Sequence, residues 1–333
     1  MGALFRDRFT PYRYVAFVAL LSTALSCAMF FTDGNVGINL ADEGYLWYGM
    51  RALKAGLVPI RDFQAYDPGR YIWTALWSCV LGDGLVSMRF SCVVFQCFGI
   101  VFGLLAARRI SSDWRFIVLV GLILVQWMIP TYKVFEQSIS LAAVYVAVLL
   151  IERPTTKRHF CAGLFVGLAA FMGRNHGLYN TVAFGLLFLL LARGAWREAP
   201  LRLASLAGGV VLGYLPQLAM FAFVPGYFAS FVALLHRNVS IGSNLAMPVP
   251  WPWTTPIDEG FVVWLNGFVE GLFYLCLPLF IFGALVVVFR LSRANAERNA
   301  VLLASACVAL PYAHHTFSRA DYVHLAHSVP VLA

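Results

Sequence analysis

Long apolar stretches separated by short polar segments make up most of this sequence. Nine stretches qualify as membrane helices: residues 14–31, 86–107, 116–130, 138–151, 160–172, 178–191, 203–224, 261–289 and 299–313. A helix needs about 20 apolar residues to cross a bilayer, so the short stretches that meet at charged tips are expected to form helical hairpins. The pattern predicts an all-α, polytopic membrane protein with about nine transmembrane crossings.

The first long polar interruption, residues 32–85, is predicted to carry two short helices that lie on the membrane surface. One apolar stripe, at i, i+4, i+7 and i+11 of a helix over 42–55, consists of Leu46, Met50, Leu53 and Leu57. A second helix over 71–81 carries two tryptophans on one side. Between the two helices lies a dense polar set: Arg61, Asp62, Tyr66, Asp67 and Arg70. A plain linker does not need this many charges, so the set indicates a site.

The composition supports the membrane class. The 333 residues are 61% hydrophobic and only 12% charged, whereas a soluble domain is about 25% charged. A net charge of +8 could suit nucleic acid, but the basic residues are spread through short loops. The expected partner is therefore the lipid bilayer and not nucleic acid. The seven cysteines lie in apolar stretches and are interpreted as small buried hydrophobic residues.

The distribution of basic residues predicts the orientation. Of the 24 Lys and Arg residues, 15 fall in five segments on the N-terminal side, which are 1–13, 108–115, 152–159, 192–202 and 290–298. The positive-inside rule then puts the N-terminus in the cytoplasm, and residues 32–85 and 225–260 become the first and second external loops.

Ionisable residues gather at the outside ends of the predicted helices. They are Lys133, Glu136, Arg174, His176, Arg319 and Asp321. Ionisable groups at membrane depth are costly, so several on one side indicate a functional site. We expect them to surround one outward-facing cavity together with Asp42.

Motifs in the first external loop resemble those of a known superfamily. Asp42-Glu43 follows the first span, and after it come Val58-Pro59-Ile60-Arg61-Asp62-Phe63, a Pro-Gly turn and an aromatic helix beginning Tyr71-Ile72-Trp73. This series resembles the first external loop of GT-C glycosyltransferases, above all the family 39-like group with protein O-mannosyltransferases and aminoarabinose transferase relatives. The run Arg319-Ala320-Asp321-Tyr322 before Pro330 is similar to that superfamily's Arg-Tyr-x-x-x-x-x-Pro element.

The resemblance implies a single GT-C-like transmembrane domain over 1–333, without the soluble C-terminal domain that relatives often carry. It implies transfer of a sugar from a polyprenyl-phosphate-linked donor to a hydroxyl of a glycan, lipid or protein acceptor. The reaction would take place on the extracytoplasmic side, with the protein in a bacterial inner membrane.

Such a transfer needs a base for the attacking hydroxyl and cations for the departing phosphate. Asp42 is the candidate base, with Glu43 as its catalytic neighbour. Lys133, Arg174 and Arg319 are candidates for the phosphate. Further candidates for binding the lipid phosphate or the sugar are Arg61, Asp62, Arg70, Glu136, His176 and His324.

No cofactor is required by these motifs, although a divalent metal ion remains an open possibility. Its candidate ligands are Asp67, His314, His315 and Asp321. Relatives carry an acid-Lys-Pro-Pro run where this chain has Tyr66-Asp67-Pro68-Gly69-Arg70, so the resemblance does not assign a metal to Asp67.

Simpler interpretations stay open at this point. Asp42 could only cap its helix, Lys133 could snorkel to the interface, and the Arg174–His176 tip could cap a helix. Two other functions are also open: a transporter or flippase for a lipid-linked substrate, and a non-catalytic assembly protein derived from a GT-C fold.

Overall fold

The computed structural model of the protein describes residues 11–34, 36–128, 131–241, 247–258, 260–290, 299–321 and 324–325. Within these ranges the chain forms thirteen α-helices and no strand. They are α1 (Pro11–Asp33), α2 (Asp42–Lys54), α3 (Pro68–Leu81), α4 (Leu85–Ala107), α5 (Trp114–Trp127), α6 (Val134–Glu152), α7 (Thr156–Met172), α8 (Arg174–Ala192), α9 (Ala199–Gly213), α10 (Leu215–Phe223), α11 (Tyr227–Ile241), α12 (Phe261–Arg290) and α13 (Ala300–Ser318). A 3₁₀ turn, Thr131–Lys133, precedes α6. The predicted all-α class is confirmed.

Six of the described helices are long and apolar enough to cross a membrane: α1, α4, α6, α8, α12 and α13. The pair α9 and α10 passes the same test together but is bent by 56°. Helix α5 has 14 residues and spans about 21 Å, short of the hydrocarbon thickness of about 30 Å. These helices indicate an integral membrane protein.

Both surface helices predicted in the first external loop are present as α2 and α3. Helix α3 begins at Pro68, three residues earlier than predicted, since proline at a first helical turn loses no hydrogen bond. Two stretches contain features that were not predicted. The stretch 203–224 is bent between α9 and α10, because Pro216 lies at the start of α10. The predicted second external loop, residues 225–260, contains a regular helix, α11. The predicted basic segments 1–13 and 290–298 lie largely outside the described residues.

The described chain divides into two compact units. The first contains the residues up to Tyr145 together with Phe171–Arg174, and the second contains the rest. In the first unit α1 packs on α4 and α5, and α2 packs on α3. Its core is filled by fully buried side chains, among them Met50, Tyr71, Met88 and Phe135. The ring of Tyr71 lies where a side chain at Gly49 would begin, which allows α2 to lie close against α3.

The cysteines differ from the prediction. Cys92 and Cys307 are buried, but Cys27, Cys79 and Cys161 are exposed on their helices. In a membrane protein an apolar side chain can face lipid instead of the protein core, so apolar surroundings in sequence did not require burial.

In the second unit, glycines bring α7 and α9 into backbone contact. A Cβ atom at Gly163 would lie 2.0 Å from the carbonyl oxygen of Leu206, and one at Gly209 would lie 2.2 Å from that of Phe160. Gly167 and Gly213 make equivalent approaches one turn further along. Small residues four apart are a common way for membrane helices to pack closely.

The contact between α7 and α9 predicts that replacement by alanine lowers the stability of the protein at Gly209 but not at Gly208. Gly209→Ala should destabilise the protein by about 1–3 kcal/mol, because the added methyl group forces the helices apart. Gly208→Ala is the matched control, since a Cβ atom there meets nothing within 4 Å and alanine favours a helix. Thermal unfolding in detergent measures both. Equal stability of the two variants would contradict the contact.

Candidate active site

Asn39 accepts hydrogen bonds from the first backbone N–H groups of helix α2. The side-chain Oδ1 of Asn39 accepts from the backbone N–H of Asp42 at 3.0 Å, and its backbone oxygen accepts from that of Glu43 at 3.0 Å. Asp42 is the first helical residue, and Ala41 occupies the N-cap position. The side-chain hydrogen bond at this helix start comes from Asn39, and the described contacts of the Asp42 carboxylate are with Tyr66 and Lys133.

The Asp42 carboxylate meets a lysine and a tyrosine. Lys133 Nζ lies 2.9 Å from Asp42 Oδ1, and the hydroxyl of Tyr66 donates to the same oxygen at 3.4 Å. The side chain of Asp42 is 36% exposed and that of Lys133 17%. Lys133 thus turns toward the carboxylate of α2, and its side chain is largely covered.

A small cleft surrounds this contact. Its lining consists of Asp42, Leu46, Tyr66, Arg70, Tyr132, Lys133 and Phe135. The free volume is about 10 Å³, which is roughly one water molecule. Tyr132 is held by Asn39, whose side-chain amide donates to the Tyr132 hydroxyl at 2.7 Å. Asn39 therefore both accepts hydrogen bonds at the start of α2 and positions Tyr132, which lines the cleft.

Burial acts on the titratable groups of the cleft in different directions. It raises the pKa of Tyr66, whose hydroxyl remains a hydrogen-bond donor. It also opposes the charged form of Lys133, but Tyr66, Glu136 and Asp42 outweigh it, so the pKa of Lys133 is raised. Lys133 is thus a cation at neutral pH.

Arg70 forms the floor of the same cleft. Its guanidinium lies 5.2 Å from the ring centre of Tyr66 and 5.4 Å from that of Phe135. It donates to Glu136 Oε1 at 2.7 Å and to the backbone oxygen of Met172 at 2.9 Å. Burial opposes its charge, yet the carboxylates of Glu136 and Asp67 raise the pKa of Arg70 overall. Arg70 therefore forms an ion pair with Glu136, and its hydrogen bond to the backbone of Met172 links α3 to the end of α7.

Asp67 and Arg174 form a second bridge to that part of the chain. Asp67 Oδ2 accepts from the backbone N–H of Arg174 at 2.9 Å, and Oδ1 lies 3.3 Å from its guanidinium. A Cβ atom at Gly69 would lie 2.7 Å from the backbone oxygen of Phe171, so the turn before α3 lies directly against this segment. Arg174 does not cap a helix with its side chain, since its guanidinium is engaged by Asp67.

Glu43, the neighbour of Asp42, points into the protein. Arg89 donates to both of its carboxylate oxygens, at 2.5 and 2.8 Å, and to the backbone oxygens of Gly34 and Gly37. Glu43 is 2% exposed and Arg89 6%. This geometry favours a structural role for Glu43 in fixing α2, and it leaves Asp42 as the carboxylate that faces the cleft. Arg89 was missed in the sequence, although a lone arginine inside an apolar span is a signal for a buried partner.

Arg61 and Asp62 stabilise a tight turn, and neither residue lines the cleft. Asp62 accepts from the backbone N–H of Val58 at 2.7 Å and from the Arg61 guanidinium at 2.8 Å. These bonds hold the pKa of Asp62 down to about 2. Ile60 lies between Val58 and Asp62 and has a φ of 74°, which is a strained conformation for a β-branched residue. The hydrogen bond between Val58 and Asp62 closes the turn around it.

The remaining candidates belong to the second unit. The His176 ring nitrogen Nδ1 lies 2.9 Å from the Tyr312 hydroxyl, and both residues are buried. His314 Nδ1 lies 3.1 Å from the hydroxyl of Tyr179. These contacts join α8 to α13 with polar side chains, a common form of cohesion between membrane helices.

Asp321 organises the segment after α13. Its carboxylate lies 2.7 Å from His324 Nδ1 and 2.8 Å from Arg319 Nε. The rings of His315 and His324 lie 4.9 Å apart. Among the described residues no group of three or more His, Cys, Asp or Glu side chains could hold a metal ion. Of the metal-ligand candidates, Asp67 pairs with Arg174, His314 contacts Tyr179, and Asp321 pairs with Arg319 and His324.

The buried pair Glu43–Arg89 predicts a large loss of stability on breaking it. Arg89→Ala should cost about 3–5 kcal/mol, because it leaves a buried carboxylate without a cation. Lys54→Ala is the control, since the Lys54–Asp83 pair is partly exposed and its loss should cost about 1 kcal/mol or less. Thermal unfolding in detergent distinguishes them, and equal losses would show that Glu43 is not held by Arg89.

Comparison of the chain with family models, with curated proteins and with solved structures found no match in any of the three. A proposal about function therefore depends on the geometry just described and on the resemblance of the first loop. The part of that resemblance with the clearest geometry is Asp42 at the start of α2.

Proposed function

We propose that this protein is a GT-C-type glycosyltransferase that transfers a sugar from a polyprenyl-phosphate donor to a hydroxyl of a glycan, lipid or protein acceptor. The observation that carries the proposal is the cleft carboxylate Asp42, which Lys133 and Tyr66 contact at the start of a short helix directly after a membrane span. The proposed orientation has a cytoplasmic N-terminus, about nine crossings and the cleft on the extracytoplasmic side of a bacterial inner membrane.

The proposed chemistry needs one base and one cation. The acceptor hydroxyl attacks the anomeric carbon while the bond from that carbon to the phosphate oxygen breaks, and the hydroxyl proton passes to the carboxylate of Asp42. The electron pair leaves on the lipid phosphate, whose growing negative charge a nearby ammonium group stabilises. Lys133 supplies that group in the proposal.

The contact between Asp42 and Lys133 then has a consequence for substrate binding. While Lys133 Nζ lies 2.9 Å from Asp42, the carboxylate and the ammonium satisfy each other. The cleft also has room for only about one water molecule. Donor binding therefore requires Lys133 to move onto the phosphate, which widens the cleft and releases Asp42 to accept a proton.

Other candidates take supporting roles in the proposal. Arg174 is 24% exposed at its side chain, so it can reach a ligand while Asp67 holds it. Arg70 and Glu136 are buried against each other and support the cleft without needing to touch substrate. Arg319 and His324 belong to the second unit, where Asp321 pairs with both of them.

One observation favours a second candidate function, a transporter of a lipid-linked substrate. The helix pair α9 and α10 is bent by 56°, and transporters often use interrupted membrane helices at their binding sites. The two functions differ in what they ask of Asp42, because transport can tolerate an amide at this position whereas proton abstraction cannot.

Replacement of Asp42 tests the proposed function. Asp42→Asn should lower transfer from a labelled polyprenyl-phosphate sugar by about 100- to 10,000-fold while donor binding is largely kept, because the amide keeps the shape and loses the base. Asp83→Asn is the matched control, since Asp83 is an exposed carboxylate of the same loop that pairs with Lys54. Membranes that contain each variant are assayed for label transfer and for donor binding.

Lys133→Gln completes the series. It should weaken both donor binding and turnover, since the phosphate is charged in the ground state and more so in the transition state. Near wild-type transfer by the Asp42→Asn variant would remove Asp42 as the base. Retained movement of donor across the membrane without label transfer would favour the transporter.

A further inference from the structure

Helix α11 lies in the proline-rich stretch that the sequence predicted to be an external loop. It runs from Tyr227 to Ile241 and packs against α10, where the partly exposed ring of Phe228 also lies 5.4 Å from that of Phe221. On that side Tyr227 and Phe231 are buried, their rings lie 5.7 and 5.1 Å from the ring of Phe221, and the Tyr227 hydroxyl accepts from Gln217 at 3.0 Å. Ser230 and Leu234 are partly buried, and the other described side chains of the helix are exposed.

A second side of α11 presents an exposed apolar stripe. It consists of Phe228, Val232, Leu235 and Val239, which follow each other at i, i+4, i+7 and i+11 and thus share one face. Their exposed fractions run from 40% to 86%. Water does not favour such a stripe, and it is too regular to be a scatter of single exposed residues.

Beside this stripe, and sharing Phe228 and Val232 with it, the helix forms one wall of an open groove of about 690 Å³. Phe228, Ala229, Val232 and Ala233 line its apolar part, and His236, Arg237 and Ser240 line the part toward the end of the helix. The helix contains no carboxylate, so its charge is positive. An apolar lining that passes into a cationic and hydroxyl-bearing end matches a molecule with an acyl chain and an anionic head group.

The length of α11 decides its orientation relative to a membrane. Fifteen residues span about 22 Å, which is too short to cross a hydrocarbon layer of about 30 Å. A short helix with one apolar face and basic residues on another lies in the plane of the interface. The exposed Trp253, stacked on Trp251 at 5.5 Å in the following segment, is of the type enriched at that depth.

We propose that α11 lies in the membrane interface and that its groove binds anionic phospholipid. The stripe from Phe228 to Val239 inserts among the acyl chains, and His236 and Arg237 bind the phosphate head groups. A second copy of the chain is a poorer occupant, because two helices of the same positive charge would repel each other in a symmetric contact. The proposal does not depend on the proposed transferase activity.

The test uses the full-length protein in phosphatidylcholine vesicles with an environment-sensitive fluorescent amino acid at Val239. Nitroxides attached to lipid should quench this fluorophore, and aqueous iodide should not. The control is the same fluorophore at Asn238, an exposed position outside both the stripe and the groove lining, which lies roughly 100° around the helix and should be more accessible to iodide. Ready quenching of the Val239 fluorophore by iodide would overturn the proposal, and so would protection from both quenchers, which would mean that protein covers the stripe.

The head-group part is tested with the same nitroxide on phosphatidylglycerol or on phosphatidylcholine. The anionic lipid should associate more strongly by roughly fivefold for each basic residue near the surface, and salt should reduce the difference. The double change His236→Gln and Arg237→Gln should abolish this preference and keep lipid quenching at Val239. Equal association of the two lipids with the wild-type protein, or an unchanged preference in the double variant, would overturn the assignment of these residues.

Discussion

Pairing of charges in a poorly solvated region is the constraint on which the first unit depends. Besides the more exposed pair Lys54–Asp83, four ion pairs among its described residues join separate elements: Asp42–Lys133, Glu43–Arg89, Asp67–Arg174 and Arg70–Glu136. An unpaired charge in such surroundings costs several kcal/mol, so each carboxylate selects the position of its cation. In this way α2, α3, α4, α6 and the first residue of α8 are positioned by electrostatics as well as by packing.

The four pairs differ in exposure, and the proposed function assigns a structural role to the buried pairs and the chemistry to the most exposed one. Glu43 with Arg89 and Arg70 with Glu136 are almost closed off from solvent. Breaking such a pair leaves a buried charge, so these residues are suited to hold the framework. Asp42 has the most exposed of the four carboxylates, and it lies against a lysine whose flexible side chain can move without disturbing a helix. In the proposed mechanism the two buried ion pairs keep the framework rigid, and substrate binding opens the Asp42–Lys133 pair.

Periodicity and charge predicted much of the fold and part of the site. The i, i+4, i+7 stripe located α2, the polar cluster between two short helices included Asp67 and Arg70, and Asp42 was predicted from its place after the first span. Sequence could not assign partners, because Asp42 and Lys133 are 91 positions apart and only packing brings them together. Arg89 was overlooked since its span was judged by apolar content alone. Helix α11 was missed because proline and glycine around it suggested a loop, although its apolar stripe has a clear helical period.

The central claim is that a phosphate group takes Lys133 away from Asp42. The most direct test is an experimental structure of the full-length protein in lipid nanodiscs with bound polyprenyl phosphate. The account predicts the phosphate in contact with Lys133 Nζ, Asp42 separated from that nitrogen, and a cleft wide enough for a sugar. Phosphate bound elsewhere, with the 2.9 Å contact between Lys133 and Asp42 intact, would contradict it.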